Sequence, residues 1–339
     1  MLRYIIRRSL VAVPTLIVIS FILFFIMDQA PGDPAGNLPL TLPAEVRERI
    51  REAQGFNDPF ILQWLKWCRS MFLYEPLHLF QSITGIEFVQ IADTDRIISW
   101  SSRSAALDTV YQRLPQTLWV LGLGTLFGSI LAIPIGIISA YKQYSVFDNV
   151  GTFATMLGFS LPVYFTGLLA IVIFSVRLQW FPSFYDSTHD VMFTSLSSIW
   201  IQIRQMIMPV TILTFFQASA LARFTRASTL DNLNQEYVRT ARSKGLTESK
   251  VINVHVMRNS LIPVVTLLAL TIPGILGGAI LTETVFRING IGQLLIISIG
   301  NGDVPMVQTI TFFSAFLVVI FNLFADVLYG LLDPRIRYD

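Results

Sequence analysis

The chain has 339 residues, of which 53% are hydrophobic and only 14% charged, with a mean hydropathy of +0.61. A soluble domain carries about 25% charged residues, so the composition excludes an ordinary globular protein and points to a polytopic membrane protein. The formal net charge of +2 favours neither nucleic acid nor an acidic partner. One cysteine, Cys68, and three scattered histidines, His78, His189 and His255, leave no disulfide, no metal-ligand cluster and no hydrolytic constellation.

Arg3, Arg7 and Arg8 precede an apolar run from Ser9 to Met27 that is long enough to span. A cleaved signal peptide has the same outline. The length of the run, the lack of a small-x-small site before Asp28–Pro34, and Pro31 favour a retained first span. From Asp28 to about Arg113 the chain is mixed and polar. APGDPAG supplies turn chemistry, Pro43 to Gln54 reads as an exposed helix, and Asp58 to Phe72 sets aromatic and aliphatic residues at helical spacing. This stretch is expected to form a folded outer cap, its aromatics serving a local core or a membrane-interface belt.

Further spans are expected at Gln116–Ala140, Val150–Val176 with Pro162 inside, Met206–Ala222, Ser260–Leu281 and Met306–Leu328. Pro162 is tolerable within a span when neighbouring helices satisfy the freed carbonyls. Arg177 to Gln205 and Glu283 to Pro305 read as outer loops. The expected fold is therefore all-α and polytopic, with six transmembrane helices. Lys and Arg crowd the segments that lie inside if the N-terminus is inside, so both termini are expected in the cytoplasm and the large first loop outside. The domain reading is 1–28 as N-terminus and first span, 29–112 as extracytoplasmic cap, 113–330 as a five-helix core, and 331–339 as a cytoplasmic tail.

The polar interruption Gln235–Asn259 (QEYVRTARSKGLTESKVINVHVMRN) is too regular for a linker. Asn232 or Asn234 is placed to cap a helix through Lys244. Thr240 and Ala241 offer a face of little bulk, and Gly245 suits a left-handed helix end. Leu246 to Arg258 then reads as a second helix with apolar positions at Val251, Ile252, Val254 and His255. A solvated basic loop and a partner-holding device both fit. On the last span Asn322 and Asp326 share a face; Asp326 is a pathway candidate or a structurally paired carboxylate near a helix end. Gly277, Gly278 and Ala279 suit close helix packing. No GxxxxGK[ST] occurs, so the chain lacks the usual phosphate-cradling loop.

EYVRTARSKGL followed by HVMRNSLIPVVT resembles the cytoplasmic motif of binding-protein-dependent ABC importer permeases, closest to the oligopeptide/dipeptide/nickel branch. MLRYIIRR, APGDP, RLPQTL, GAILTETVF, NGIGQLL and DVLYGLLDPRIR match in order along the whole chain. The resemblance implies a type I permease subunit of the bacterial inner membrane, and the 113–330 core would carry its coupling motif at 234–263. Glu236, Tyr237, Arg239, Thr240, Ala241 and Gly245 would couple to an ATPase. It also implies a second homologous permease subunit, two ATP-binding subunits that hold ATP and Mg, a soluble binding protein, and surrounding lipid. No cofactor is expected on this chain. Arg239 and Thr240 stand where the general motif has Glu and Ala, as is usual in the peptide branch. Tyr74 to Ser102 departs from that branch's outer loop. Peptides are the expected substrate, with nickel complexes, glutathione or oligosaccharides as alternatives. An ion-coupled secondary transporter would need paired midplane charges and an internal repeat, which the sequence lacks.

Overall fold

The computed structural model describes residues 2–29, 43, 45–46, 58–86, 95–186, 195–276 and 280–332. Most of the Pro43–Gln54 helix, the Pro31-containing turn, the Gly277–Ala279 packing site and nearly all of the 331–339 tail lie outside those residues. Among the described residues the fold is helical, and the one extended pairing is an isolated bridge between Ile98 and Ala105.

Helix α1 (Leu2–Asp28) is followed by α2 (Phe60–Arg69), a π-helical turn (Ser70–Tyr74) and α3 (Glu75–Thr84). Phe60 sits among Phe21, Phe24 and Phe25 of α1 with ring centroids 5.7, 5.5 and 6.1 Å away. Trp67 meets Phe312 of the last helix edge-on at 5.2 Å. The cap aromatics thus pack onto the ends of two spans instead of forming a core of their own. Burial also pushes the Cys68 thiol up from its ordinary range.

Helix α4 (Ala106–Tyr141) and helix α7 (Leu196–Leu233) form the spine. Gly124, Gly128 and Gly136 of α4 lie so close to Leu213, Gln217 and Thr225 that an added Cβ would stand 2.7, 2.7 and 2.5 Å from their Cβ atoms. Equal steps in the same direction make these helices parallel. Small residues at helical spacing allow backbones to approach where no hydrophobic force between helices exists.

Between them run α5 (Val146–Ser160) and α6 (Val163–Ala170), the latter extended by a π-helical turn (Ile171–Arg177). The expected continuous third span is instead bent by 98°. Pro162 forces Leu161 out of the helical region (φ −94°, ψ 135°), so the helix ends there instead of kinking. The predicted fourth span, Met206–Ala222, lies within a longer helix: α7 is 38 residues long, about 57 Å of helix, and its start at Leu196 takes in the end of the stretch expected as an outer loop.

After a short α8 (Glu236–Ser243), a single turn α9 (Glu248–Lys250) and a π-helical turn (Val251–Val256) run directly into α10 (Met257–Leu276). The second polar helix is therefore the start of the fifth span and no separate element. The region Glu283–Pro305, expected as a loop, contains most of α11 (Ile280–Phe286) and all of α12 (Ile291–Gly300), set at 83° to each other. Helix α13 (Val304–Leu332) closes the bundle. In all, five described helices are long and apolar enough to cross a bilayer, with two bent pairs beside them.

Buried polar contacts fix these elements. The Glu283 carboxylate, fully buried, accepts from Thr117 Oγ1 (2.9 Å) and from the Gln293 amide (3.0 Å), while Thr117 Oγ1 accepts from the Ile291 amide (2.8 Å). Glu283 thereby ties both arms of the bent pair to α4. Asp303 accepts from Ser99 Oγ (2.5 Å) and from the amides of Trp100 and Ser101 (both 3.1 Å), so the loop before α4 is pinned to the start of α13. Arg96 donates to Asp108 (2.7 Å) and Glu75 (2.8 Å), and Asp108 foremost keeps its guanidinium more firmly charged than usual.

Candidate functional site

The Gln235–Met257 region folds back on itself as a small knob at the end of α7. Its core is Val238, Ala241, Val251 and Val256, with Leu233 and Leu246 packed against them. Amphipathic spacing on α8 turns Val238 and Ala241 inward and leaves Glu236, Arg239 and Thr240 outward. The π-helical register from Val251 to Val256 sets those two valines inward. Of the other expected apolar positions, Ile252 is half-buried and Val254 is exposed.

Gly245 has φ +74°, the left-handed conformation glycine adopts freely. Its amide bonds to Arg242 O (2.9 Å), and the Leu246 amide reaches back to Ala241 O (3.4 Å). This double closure with a hydrophobic residue after the glycine is a Schellman ending. The opposite end differs from expectation. Gln235 stands at the N-cap without a side-chain capping bond, its side-chain amide donating backward to Asp231 O (3.3 Å). The side-chain amides of Asn232 and Asn234 donate backward to Ser228 O and Leu230 O, extending α7 instead of capping α8.

Among the predicted coupling residues, Tyr237 donates its hydroxyl to Asn232 Oδ1 (2.6 Å), which sets the angle between α7 and α8. Arg239 pairs with Glu236 (2.9 Å) on open surface, where solvent screening leaves such a pair little weight in stability. Thr240 Oγ1 donates to Glu236 O (2.9 Å). Ala241 is 5% exposed, so its small side chain serves packing inside the knob and does not offer a docking face. Arg242 bonds to Glu248 across the Gly245 turn (2.8 Å). The outward surface is therefore Glu236, Tyr237, Arg239 and Thr240, held rigid from behind.

Asn322 is half-buried on α13. Asp326 follows one turn later on the same helix, with its side chain outside the described residues. Neither is brought near the knob residues by any described contact.

Sequence reasoning missed Asp148 and Arg226. Their side chains form a two-pronged pair, Nε to Oδ1 at 2.7 Å and Nη2 to Oδ2 at 2.8 Å. A third span drawn from Val150 leaves Asp148 outside it. A carboxylate three residues after the capping Ser145, whose hydroxyl accepts from the Asp148 amide, was the available signal. A buried tyrosine also went unnoticed: Tyr185 is bonded to Gln116 (3.2 Å) and Gln202 (3.0 Å), and burial raises its phenol above the ordinary range.

Comparison with known proteins agrees with this architecture. The profile of the binding-protein-dependent transport system inner membrane component matches residues 132–338, and the corresponding N-terminal profile matches residues 1–121. An oligopeptide transport system permease protein of Bacillus subtilis is 36% identical over 342 residues, covering all of both chains. A dipeptide transport system permease protein of Alkalihalophilus pseudofirmus is 30% identical over 354 residues, again covering both fully. A crystal structure of an amino acid ABC transporter with histidines shares the fold with TM-score 0.51 and 13% identity, over 66% of this chain and 94% of that one. The chain is a multi-pass membrane protein that belongs to the family of binding-protein-dependent transport system inner membrane components.

Proposed function

We propose that this chain is one of two membrane subunits of an ATP-driven peptide importer of the di- and oligopeptide class. The observation that carries the substrate class is its likeness, end to end, to permeases named for oligopeptide and dipeptide transport. The bundle crosses six times, with α5 and α6 together forming the third crossing and both termini in the cytoplasm. The parallel run of α4 and α7, with the α5–α6 pair between them, supports that count. The division into a first span (1–28), outer cap (29–112), core (113–330) and tail (331–339) follows from it.

The knob faces the cytoplasm and sits in a cleft of an ATPase subunit through Glu236, Tyr237, Arg239 and Thr240, with Ala241 and Gly245 shaping it. ATP and Mg belong to those partner chains. A soluble binding protein delivers peptide to the outer cap and the α11–α12 pair. ATP-driven closure of the ATPases shifts the bundle between outward- and inward-open forms, each ligand favouring one form. Asp326 and Asn322 remain candidates for a polar contact along or beside the path.

Purification in mild detergent tests the reading. P-loop ATPase subunits are expected to copurify, and membrane vesicles holding the complex should take up a radiolabelled oligopeptide only with ATP and binding protein. Uptake without ATPases, driven by an ion gradient, would overturn it.

A further inference from the structure

We infer that the Asp148–Arg226 pair is the strap through which α7 moves α5, making these two side chains positioning residues for transport. The inference rests on the proposed function above and goes beyond the knob itself.

Asp148 is 2% exposed. Its two oxygens take both prongs of Arg226, and Oδ2 also accepts from the Tyr144 amide (2.9 Å). Breaking such a pair leaves an uncompensated buried charge. The planar fork also fixes direction, which a lysine ammonium does not. Two residues beyond Arg226, Ser228 Oγ donates to Ser260 O of α10 (2.9 Å). Leu233, at the end of the same helix, enters the knob core. The last turns of α7 therefore hold α5, α10 and the knob together.

Helix α5 is built to be driven from that end. Its far end stops at Ser160, and the bend at Leu161–Pro162 separates it from α6. Between α4, α5 and α7 lies an open cavity of about 380 Å³, lined by Gly136, Ser139, Thr155 and Ser160 among others. Displacement of the knob along α7 thus becomes rotation of α5 about the proline break, with space to receive it. Coupling needs an element that both sites bias, and α5 between strap and break is that element.

The test uses the complete complex, with both permease subunits, the ATPases and the binding protein, reconstituted in vesicles. Asp148→Asn and Arg226→Gln are each expected to lower oligopeptide uptake per ATP hydrolysed at least fivefold, with the ATPases still bound and hydrolysing. The double variant should lose no more than either single one, because the pair acts as a unit. Arg226→Lys, which keeps the charge, should fall between Arg226→Gln and wild type, and it serves if a neutral variant fails to accumulate. Uptake and hydrolysis falling in proportion, or additive losses in the double variant, would overturn the strap. A wild-type complex without ATP-dependent uptake would instead overturn the proposed function, so the two failures are distinct.

Discussion

At Gly245 a Cβ would meet open space, so replacement by alanine is resisted only by the backbone at φ +74°. Holding a non-glycine residue there costs about 1–2 kcal/mol, enough to loosen the turn without unfolding the spans. Ala241 poses the opposite problem, since its backbone is ordinary helix and its side chain is enclosed by Val238, Val251 and Val256. Ala241→Trp should push α8 away from the π-helical turn, at about 1–3 kcal/mol. Both variants are expected to accumulate in the membrane and to separate ATP hydrolysis from uptake, with the tryptophan substitution the more severe. Wild-type uptake with Ala241→Trp would remove the knob from the coupling route. The glycine was legible in the sequence because a left-handed helix end has few chemical solutions. The inward role of Ala241 was missed because an alanine suits an open docking face as well as a buried one, and only its contact with Val251 and Val256 decides between them.

Among elements, the α11–α12 pair is held by one carboxylate. Glu283→Ala would leave the Gln293 amide and the Thr117 hydroxyl without their buried acceptor, at about 1–3 kcal/mol each. Loss of thermal stability in detergent by several degrees is the expected reading, while Thr284→Ala, on the exposed side of α11, should change little. Apolar run length placed the long helices α1, α4 and α13 and came close to their C-terminal limits. It failed where the chain reverses inside an apolar stretch, since α12 is as apolar as a span and NGIG looks like a surface turn. Glu283 meets Thr117 across 166 positions and Arg226 meets Asp148 across 78. No local pattern encodes such partners. Pro162 was visible, but whether a proline kinks or ends a helix depends on what its neighbours satisfy.

For the molecule as a whole, orientation is the property to measure. With Cys68 replaced by serine, a single cysteine introduced in place of Lys244 should react with a membrane-impermeant maleimide only in inside-out vesicles. One in place of Gln179, beyond the π-helical turn after α6, should react only in intact, right-side-out cells or spheroplasts. Equal labelling from both sides, or the reverse pattern, would reject the six-crossing topology. At one end of the bundle Asp303 and the Arg96 cluster join the described residues before α4 to α3, α4 and the start of α13. The opposite end concentrates its fixed points on one helix.

That concentration has a rotational consequence. Arg226 and Leu233 are seven residues apart, which at 3.6 residues per turn puts them within about 20° of the same side of α7. The helix thus carries an angular setting as well as a length, keeping the fork toward α5 and the knob core in register. Gain or loss of one residue between them would turn the knob by about 100°, presenting a different side of α8 to whatever sits below. The residue number of this segment therefore acts as a phase that the bundle has to preserve.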